Sequence, residues 1–543
     1  MTTSAAHRTV CILAAGIGSR QHFAGGRLHK GLIPLGNQGV ISRIIARVGP
    51  SSRFVIAVGH EAEQVCEYVR LAHPDLNVTF VPVDQYTGPD SGPGTSVLAC
   101  RDHLSGSFLL TAVDTLVTRV PPTLPGRSWA GVSTVGAPWR YLTLDHSAGR
   151  VTAFHERTGD APDAFVGLAW IADAGTFFDG LESGSPGSEF QVTSGLAAVA
   201  ASSEGLWIEE VDWLDTGTDE GFARARTTFS EEPGAGRQAV DVTYLFDDRV
   251  VKWFASTEQA ARCRDRASAL GSAVPAMITA SGPWLAYERA PGATLRDRVD
   301  PQMVDAVIDW ASATLWLQTP GAPGIHAAAR DLYGAKTMAR LDQYLAARGE
   351  STEVPGLVCV NGSQVPPVSD MITDAVALTT SNIQAAGFHG DFHEGNIIEH
   401  EGHLITIDWR SDFGGLHAAG DPRYDLAKFL HTLELPESVM SAGRFLVADD
   451  GGVMRVANED SPLRESARAA FWRRCDEGGF DWRQIAVLDA LVFVSMAPLY
   501  DTRLGEYLYW LGRWLLAVSL QEVGWHEREE HFRRGCLSLS PES

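Results

Sequence analysis

The sequence predicts an α/β amino-terminal domain on a mostly parallel sheet, followed by a bilobal α+β domain. Three observations predict it. The chain has 543 residues, more than one ordinary core organises, so two or three domains are expected. Its first part alternates short apolar runs with helical patterns. A breaker-rich stretch, Glu231-Glu232-Pro233-Gly234-Ala235-Gly236-Arg237, then gives way to a region of different texture. The expected boundaries are 1–229, a linker at 230–240, and 241–543, the last with a small lobe over residues 241–295 and a helical large lobe over 296–543.

The elements follow in order. Residues 10–13, 54–58, 78–83 and 108–112 are short runs rich in β-branched and aromatic residues and read as strands. Residues 40–48 and 61–72 lie between them with helical patterning. Alternation of this kind implies a sheet with helices on both faces, whose ligands bind beyond the carboxyl ends of the strands. The loop at Gly16 and the residue Asp114 fall at such ends. Beyond the linker, 240–246 and 249–254 read as a hairpin turning at Asp247-Asp248. Residues 257–270 read as a helix with Thr257 as N-cap, and 284–288 as a strand. From Pro301 the chain reads as mainly helical, interrupted by 389–408. The aromatic tail over 485–523 reads as core.

Composition narrows the function. The chain is 45% hydrophobic and 20% charged, and its formal net charge is −23. That balance argues against nucleic-acid and anionic-membrane partners, so any phosphate site must be a local cationic pocket. Seven cysteines form no CxxC pair, which supports neither a disulfide framework nor a zinc knuckle. The amino terminus has no apolar leader pattern, and no uncharged run is long enough to span a bilayer. The cytoplasm, where nucleoside triphosphates are found, is the expected compartment.

Two phosphate chemistries stand at opposite ends of the chain. The first is a strand followed by Leu13-Ala14-Ala15-Gly16-Ile17-Gly18-Ser19-Arg20, with Lys30 and Gly31-Leu32-Ile33-Pro34-Leu35 beyond it. Gly16 and Gly18 would let backbone N–H groups approach phosphate oxygens. Arg20 can fork onto the β- and γ-phosphates, and Lys30 adds a point charge. This stretch resembles the opening of the sugar-phosphate nucleotidyltransferases, including the LicC-type cytidylyltransferases, which reads LAAGxGxR and then a lysine before an apolar LxPL run. The resemblance spans about the first 225 residues. It implies a Rossmann-like nucleotidyltransferase domain in which Leu13, Ala14, Ala15, Gly16 and Gly18 line the nucleotide and Arg20 and Lys30 are catalytic. Gly92-Pro93-Gly94-Thr95-Ser96 looks like the family's second glycine segment, so Gly94 and Thr95 would lie near the base and ribose, with Gln85 a candidate reader of the base edge. Leu109-Leu110-Thr111-Ala112-Val113-Asp114 and Trp213-Leu214-Asp215-Thr216-Gly217-Thr218 look like the family's two metal motifs, so the resemblance further implies that Asp114 and Asp215 hold Mg2+ together. It places Glu156, Arg157, Gly167 and Glu189 around the acceptor. Val113, where many relatives have glycine, and the unusual segment 21–29 leave the base and acceptor open, with CTP expected before UTP.

The second chemistry is His389-Gly390-Asp391-Phe392-His393-Glu394-Gly395-Asn396, followed by Ile405-Thr406-Ile407-Asp408. By spacing, Asp391 would accept or orient a hydroxyl proton, while Asn396 and Asp408 would hold Mg2+ on the phosphates of ATP. His393 reads as structural, since no zinc-ligand spacing surrounds it. The segment resembles the aminoglycoside-phosphotransferase and choline-kinase family, with its HGDxHxxN loop and following Ile-Asp-Trp strand end. The resemblance reaches through Gly420-Asp421-Pro422-Arg423-Tyr424-Asp425-Leu426-Ala427, where Asp421 and Asp425 would brace the loop. It implies a bilobal protein-kinase-like fold in which Lys252 binds phosphate, Glu258 or Asp265 pairs with it, and Glu288 lies in the hinge that meets adenine. Tyr333–Thr337 with Arg340, Arg410 after Trp409, and 495–499 look more like kinases associated with surface polysaccharides than like resistance enzymes. Lys336 and Arg340 share a helix face, as either a solvated basic face or an anion site for substrate. Trp409 or the tail aromatics would suit a cationic amine.

A kinase makes a phosphate ester and a nucleotidyltransferase consumes one. The expected protein is therefore a bifunctional enzyme. It would phosphorylate a sugar, polyol or amino alcohol with ATP and couple the product to a nucleotide, in a surface-polysaccharide or secondary-metabolite pathway. The alternatives are an antibiotic-modifying kinase fused to an unrelated nucleotidyltransferase, and a sensor with one degenerate half.

Overall fold

The computed structural model describes residues 8–17, 27–123, 125–156, 158, 161–183, 190–229, 241–319, 322–521 and 524–534. The chain divides into two compact units, Met1–Thr257 with Pro283–Arg289, and Glu258–Gly282 with Ala290–Ser543.

The first unit begins with β1 (Thr9–Ala14), α1 (Val40–Val48), β2 (Arg53–Val58), α2 (Ala62–Ala72), β3 (Val78–Pro82), α3 (Pro93–Ala99) and β4 (Phe108–Ala112). It continues with β5 (Thr115–Val117), β6 (Ser128–Thr134), β7 (Leu142–Ser147), β8 (Arg150–Glu156), β9 (Asp163–Ile171), α4 (Ala174–Ser183) and α5 (Thr193–Ala201). Then come β10 (Leu206–Glu210), β11 (Trp213–Asp215) and α6 (Asp219–Thr228). A nine-stranded sheet runs β3-β2-β1-β4-β9-β6-β10-β8-β7. Its first four strands pair in parallel, while β9 pairs antiparallel to β4 and to β6, so the sheet is mixed.

Alternation along the strands decides which core each residue joins. Val10, Ile12 and Ala14 face one way, onto Ile41, Ile44, Val65 and Tyr68 of α1 and α2. Cys11 and Ala15 face the other, onto Val97 of α3 and Phe177 and Leu196 of α4 and α5. Period-2 strands with both faces apolar are what a sheet covered on both sides requires.

Three further strands belong to this unit: β12 (Val242–Leu245), β13 (Arg249–Trp253) and β14 (Trp284–Glu288). They share the core of α2. Tyr244 and Trp284 pack on Tyr68 with ring centroids 4.7 and 5.9 Å away. The Tyr244 hydroxyl donates to the Leu32 carbonyl at 2.6 Å, and the Leu245 N–H to the Asn37 carbonyl at 2.8 Å.

The second unit is mainly helical: α7 (Thr257–Leu270), α8 (Pro301–Thr314), α9 (Ile325–Arg330), a π-turn at Asp331–Ala335, α10 (Lys336–Ala347) and α11 (Val368–Thr379). Thr257 is the first helical residue rather than the cap before it, a one-residue difference of the usual size. A hairpin of β17 (Ile397–His400) and β18 (His403–Thr406) carries the catalytic-loop motif into α12 (Pro422–Glu434). Sequence reading missed a second sheet, β16-β15-β20-β19, built from β15 (Val358–Val360), β16 (Ser363–Val365), β19 (Phe445–Asp449) and β20 (Val453–Asn458). Two of these strands have three residues each, too few for a period to register.

The unit closes with α13 (Pro462–Glu477), α14 (Trp482–Met496), α15 (Thr502–Leu520) and α16 (Trp525–Arg534). The stretch Trp482–Leu499 has the length and mean hydropathy, 1.3, of a membrane span, but two thirds of it is buried among its neighbours. The tail aromatics Tyr507, Trp510 and Trp514 are buried core. Trp409 is also core: it is buried and donates its indole N–H to the Cys263 carbonyl at 2.9 Å. It is thereby committed to packing rather than to an amine ligand.

Candidate active sites

In the first unit, strand pairing assembles the acidic pair. Asp114 follows β4 and precedes β5, and β5 pairs antiparallel with β11 so that Asp215 stands opposite Thr115. The backbone and hydroxyl of Thr216 both donate to the Asp114 carbonyl, at 3.0 and 2.9 Å. A Cβ on Gly217 would lie 3.1 Å from a carboxylate oxygen of each aspartate, so the two carboxylates converge on that glycine. Lys30 donates to Asp114 Oδ2 at 2.8 Å. The Tyr141 hydroxyl donates to Asp215 Oδ2 at 2.8 Å, and the Gly217 N–H to Asp215 Oδ1 at 2.9 Å. Sequence reading missed Tyr141; no motif marks it, because it reaches the site only through the fold. Two convergent carboxylates are a suitable donor set for Mg2+.

Lys30 is aimed by its neighbour. His29 is fully buried, and burial pushes it down to about 3, so it is neutral and its Nδ1 accepts the Gly31 N–H at 3.1 Å. That bond starts the short 3-10 turn Lys30–Leu32. Ala14 and Ala15 are buried at the end of β1, Leu13 is half-buried, and the Ala15 carbonyl accepts the His60 N–H at 2.9 Å. At Gly16 no atom of the described residues lies within 4 Å of the position of a Cβ. Gly18, Arg20, Arg157 and Glu189 lie outside the described residues.

The second glycine segment has a reason internal to the protein. A Cβ on Gly94 would sit 2.6 Å from the Gln191 carbonyl, and the Gly94 N–H donates to Phe190 at 2.8 Å. Glycine here permits two backbones to touch. Thr95 donates to the Asp90 carbonyl, and Gln85 to the Pro89 carbonyl at 3.0 Å, so both side chains are bonded to one exposed loop. On the acceptor side, Glu156 accepts from Thr193 at 2.5 Å. Gly167 has φ +80° within an irregularity of β9, and a Cβ there would meet Thr115 Oγ1 at 2.9 Å, directly behind Asp114.

In the second unit, Asp425 organises the catalytic loop. It accepts the N–H groups of His389 and Gly390, both at 2.7 Å, and the indole of Trp316 at 3.0 Å. Burial pushes its carboxyl up to about 6, and these hydrogen bonds pull it back. Asp421 has a different partner set: it caps α12 through the Arg423 N–H and binds Tyr333 and the Arg423 guanidinium. Asp391 is offset from these by one turn of loop. Its carboxylate meets Lys428 Nζ at 2.9 Å and His393 Nε2 at 3.6 Å. Burial raises its pKa, but Lys428 and then His393 outweigh it and hold the carboxyl well below the usual range. Lys428 follows the Asp421–Ala427 motif directly and was missed because helical position, not motif, aims it.

His393 takes the structural role expected of it, accepting the Gly395 N–H through Nδ1 at 3.1 Å. The Asn396 amide N–H group donates to the Asp391 carbonyl at 3.0 Å, leaving its oxygen for a cation. Asp408 is exposed at the end of the motif with φ +61°, a backbone state that non-glycine residues adopt at local cost. The two oxygens suit Mg2+. Among the described residues, no group of three or more His, Cys, Asp or Glu clusters as a metal site.

Of the two carboxylates expected beside Lys252, Glu258 lies 3.6 Å from Arg262 and Asp265 3.0 Å from Arg264. The buried charge of α7 is instead Arg266, which donates to the carbonyls of Phe388 and His417 around the loop. Lys252 lies on β13 with Nζ 6.0 Å from the Tyr287 ring centroid, and Glu288 is exposed at the end of β14.

These arrangements place a convergent pair of aspartates in one unit and the Asp391 loop, braced by Asp425, in the other. Residues 10–154 match the family described as MobA-like NTP transferase domain, and residues 243–459 match the phosphotransferase enzyme family. These two domain matches support a nucleotidyltransferase activity and a kinase activity in one polypeptide. Similar solved structures include a UDP-glucose pyrophosphorylase complexed with UDP-glucose, 15% identical over 41% of this chain and 99% of that one, with TM-score 0.35. Others are a putative glucose-1-phosphate thymidylyltransferase from Bacillus anthracis (15% identity, 43% and 98% coverage, TM-score 0.34) and a UTP-bound UGPase from Acinetobacter baumannii (15%, 42% and 96%, 0.34). Comparison with curated proteins returns no match.

Proposed function

We propose that the two activities act in sequence on one metabolite. The kinase half phosphorylates a hydroxyl of a small sugar, polyol or other alcohol with ATP. The nucleotidyltransferase half then joins that phosphate to the nucleotide of an NTP, CTP before UTP, and releases pyrophosphate. The observation that carries this reading is that the product class of one site is the substrate class of the other, within one chain.

In the kinase step, Asp391, kept ionised by Lys428, takes the hydroxyl proton as the oxygen attacks the γ-phosphorus and ADP leaves. Lys252 would hold the donor phosphates, and Glu288 would stand beside the adenine. In the second step, a phosphate oxygen attacks the α-phosphorus, and Lys30, with Arg20, balances charge on the phosphates. Asp114 with Asp215, and Asn396 with Asp408, would each hold Mg2+, which supplies charge neutralisation on phosphate oxygens. Glu156, Arg157, Gly167 and Glu189 would border the acceptor. Use of ATP and an NTP, the proposed substrates, favours the cytoplasm as its compartment.

The test incubates candidate alcohols with ATP, the four NTPs and Mg2+, and scans for nucleoside-diphosphate adducts by mass spectrometry. Asp114→Ala should abolish pyrophosphate release from a pre-phosphorylated acceptor, while Asp391→Ala should leave it intact. Retention of both activities in both variants would sink the assignment.

A further inference from the structure

The most unusual electrostatics in the described chain surround Asp391. Four cations from three segments gather there: Lys336 and Arg340 on α10, Arg410 after the Asp408 motif, and Lys428 on α12. The rest of the chain is strongly acidic, at −23. Only Lys428 is paired, with Asp391 itself. Among the described residues no carboxylate pairs with Lys336, Arg340 or Arg410; Arg340 reaches only the neutral Gln343, at 3.1 Å.

The fold builds this cluster deliberately. The π-turn at Asp331–Ala335 adds a residue to the helix just before Lys336, which rotates the following face by about 100°. Tyr333, within that turn, is buried and donates to Asp421 at 2.9 Å, tying the turn to the start of the helix that carries Lys428. Thr337 lies 3.1 Å from Ser495 of α14, which fixes the first turn of α10. On the other side, Gly390 has φ +87°, and a Cβ there would meet the Arg410 stem at 2.8 Å, so the arginine lies flat against the residue preceding Asp391. Burial first, then Arg410, Lys428 and Arg340, push the Lys336 ammonium down to about 7, against the pull of Asp391. A half-buried lysine held among three cations is stabilised once an anion arrives.

We propose that the hydroxyl substrate of the kinase site itself carries an oxyanion, a carboxylate or a phosphate, which Lys336 and Arg340 bind while Arg410 and Lys428 serve the transferring phosphoryl group. This deepens the proposed kinase reading and rests on it. It disfavours amino alcohols and aminoglycosides, whose ammonium groups would be placed against a cluster in which four cations outnumber the Asp391 and Asp412 carboxylates.

The experiment compares four alcohols on one three-carbon frame: glycerol, glycerate, glycerol 3-phosphate and the cationic 2-amino-1,3-propanediol. Affinity for the full-length enzyme is measured by calorimetry, and phosphorylation by ADP release. Glycerate or glycerol 3-phosphate should bind about tenfold to hundredfold more tightly than glycerol, and the amine more weakly. Which of the two wins tells carboxylate from phosphate. Lys336→Met with Arg340→Met should erase that preference and raise KM for the anionic alcohol while leaving KM for ATP unchanged. Lys336→Arg should retain most of it. Equal or better binding of the amine, or a preference that survives the double variant, overturns the proposal. A rise confined to KM for ATP overturns it also, by assigning these cations to the nucleotide. Undiminished phosphoryl transfer in Asp391→Ala would instead overturn the underlying kinase reading, with anion binding still readable by calorimetry.

Discussion

Replacing Arg528 by Met tests how the second unit holds its catalytic helix. Arg528 on α16 bonds Glu434 at 2.5 Å and Asp489 at 2.7 Å, and all three side chains have no solvent exposure. Glu434 is the last residue of α12, the helix that carries Asp425 and Lys428. Burial first, and then Glu434, push Asp489 well above the usual carboxylate range, against the pull of Arg528. Methionine has a similar length without the charge, and it strands a buried anion. Breaking such a pair costs about 3–5 kcal/mol, out of a typical unfolding free energy of about 5–15 kcal/mol. The assay is urea denaturation followed by tryptophan fluorescence, with ADP release and pyrophosphate release recorded in parallel. The second unit's transition should move by that amount, and ADP release should fall with it. Pyrophosphate release should hold. Glu434→Gln in the same background should recover most of the loss. A loss below about 1 kcal/mol, or one that Glu434→Gln leaves unrecovered, would refute the argument.

Three other outcomes are expected. Tyr141→Phe removes one neutral-to-charged hydrogen bond from Asp215, so pyrophosphate release should drop about tenfold and need more Mg2+, with ADP release unchanged; an unaltered Mg2+ dependence would detach Tyr141 from the site. Gly94→Ala forces a methyl against the Gln191 carbonyl, and should destabilise the first unit by about 1–3 kcal/mol in a thermal melt; an unshifted melt would show that the contact yields freely. Acid should destabilise both units below pH 6.5. Burial lowers His29 to about 3 and His389 to about 4, so the unfolded chain binds the extra proton and stability falls as pH drops through that window. At pH 5 each costs about 2 kcal/mol, and His29→Gln should flatten the first unit's pH profile; a profile as steep as the parent's would count against the assignment.

Much of the fold was legible because local pattern and tertiary role agree. The strand predicted at 108–112 forms as Phe108–Ala112, and the helix predicted at 40–48 forms as Val40–Val48. Both are long enough for their periodicity to register, and both faces of the sheet are covered as the apolar runs imply. The short strands Val358–Val360 and Ser363–Val365 were not legible, since three residues carry no period. Nor was the packing of Tyr244 and Trp284 on Tyr68, which depends on which surfaces meet. The aromatic residue Trp409, open to two readings as a symbol in a string, is decided by its hydrogen bond to Cys263 and its burial.

The sequence by itself determined the two chemistries. Glycine loops, aspartates at strand ends and the HGDxHxxN spacing are local demands of phosphate geometry, written over a few consecutive residues. The tertiary structure decided what surrounds them. Asp215 reaches Asp114 through pairing of β5 with β11, and Lys428 reaches Asp391 from α12. Lys336 enters the same electrostatic neighbourhood by way of a π-turn. Charge acts through space at a few ångströms, whereas a motif is read along the chain, so the gathering of Lys336, Arg410 and Lys428 around Asp391 became visible only once the chain had folded.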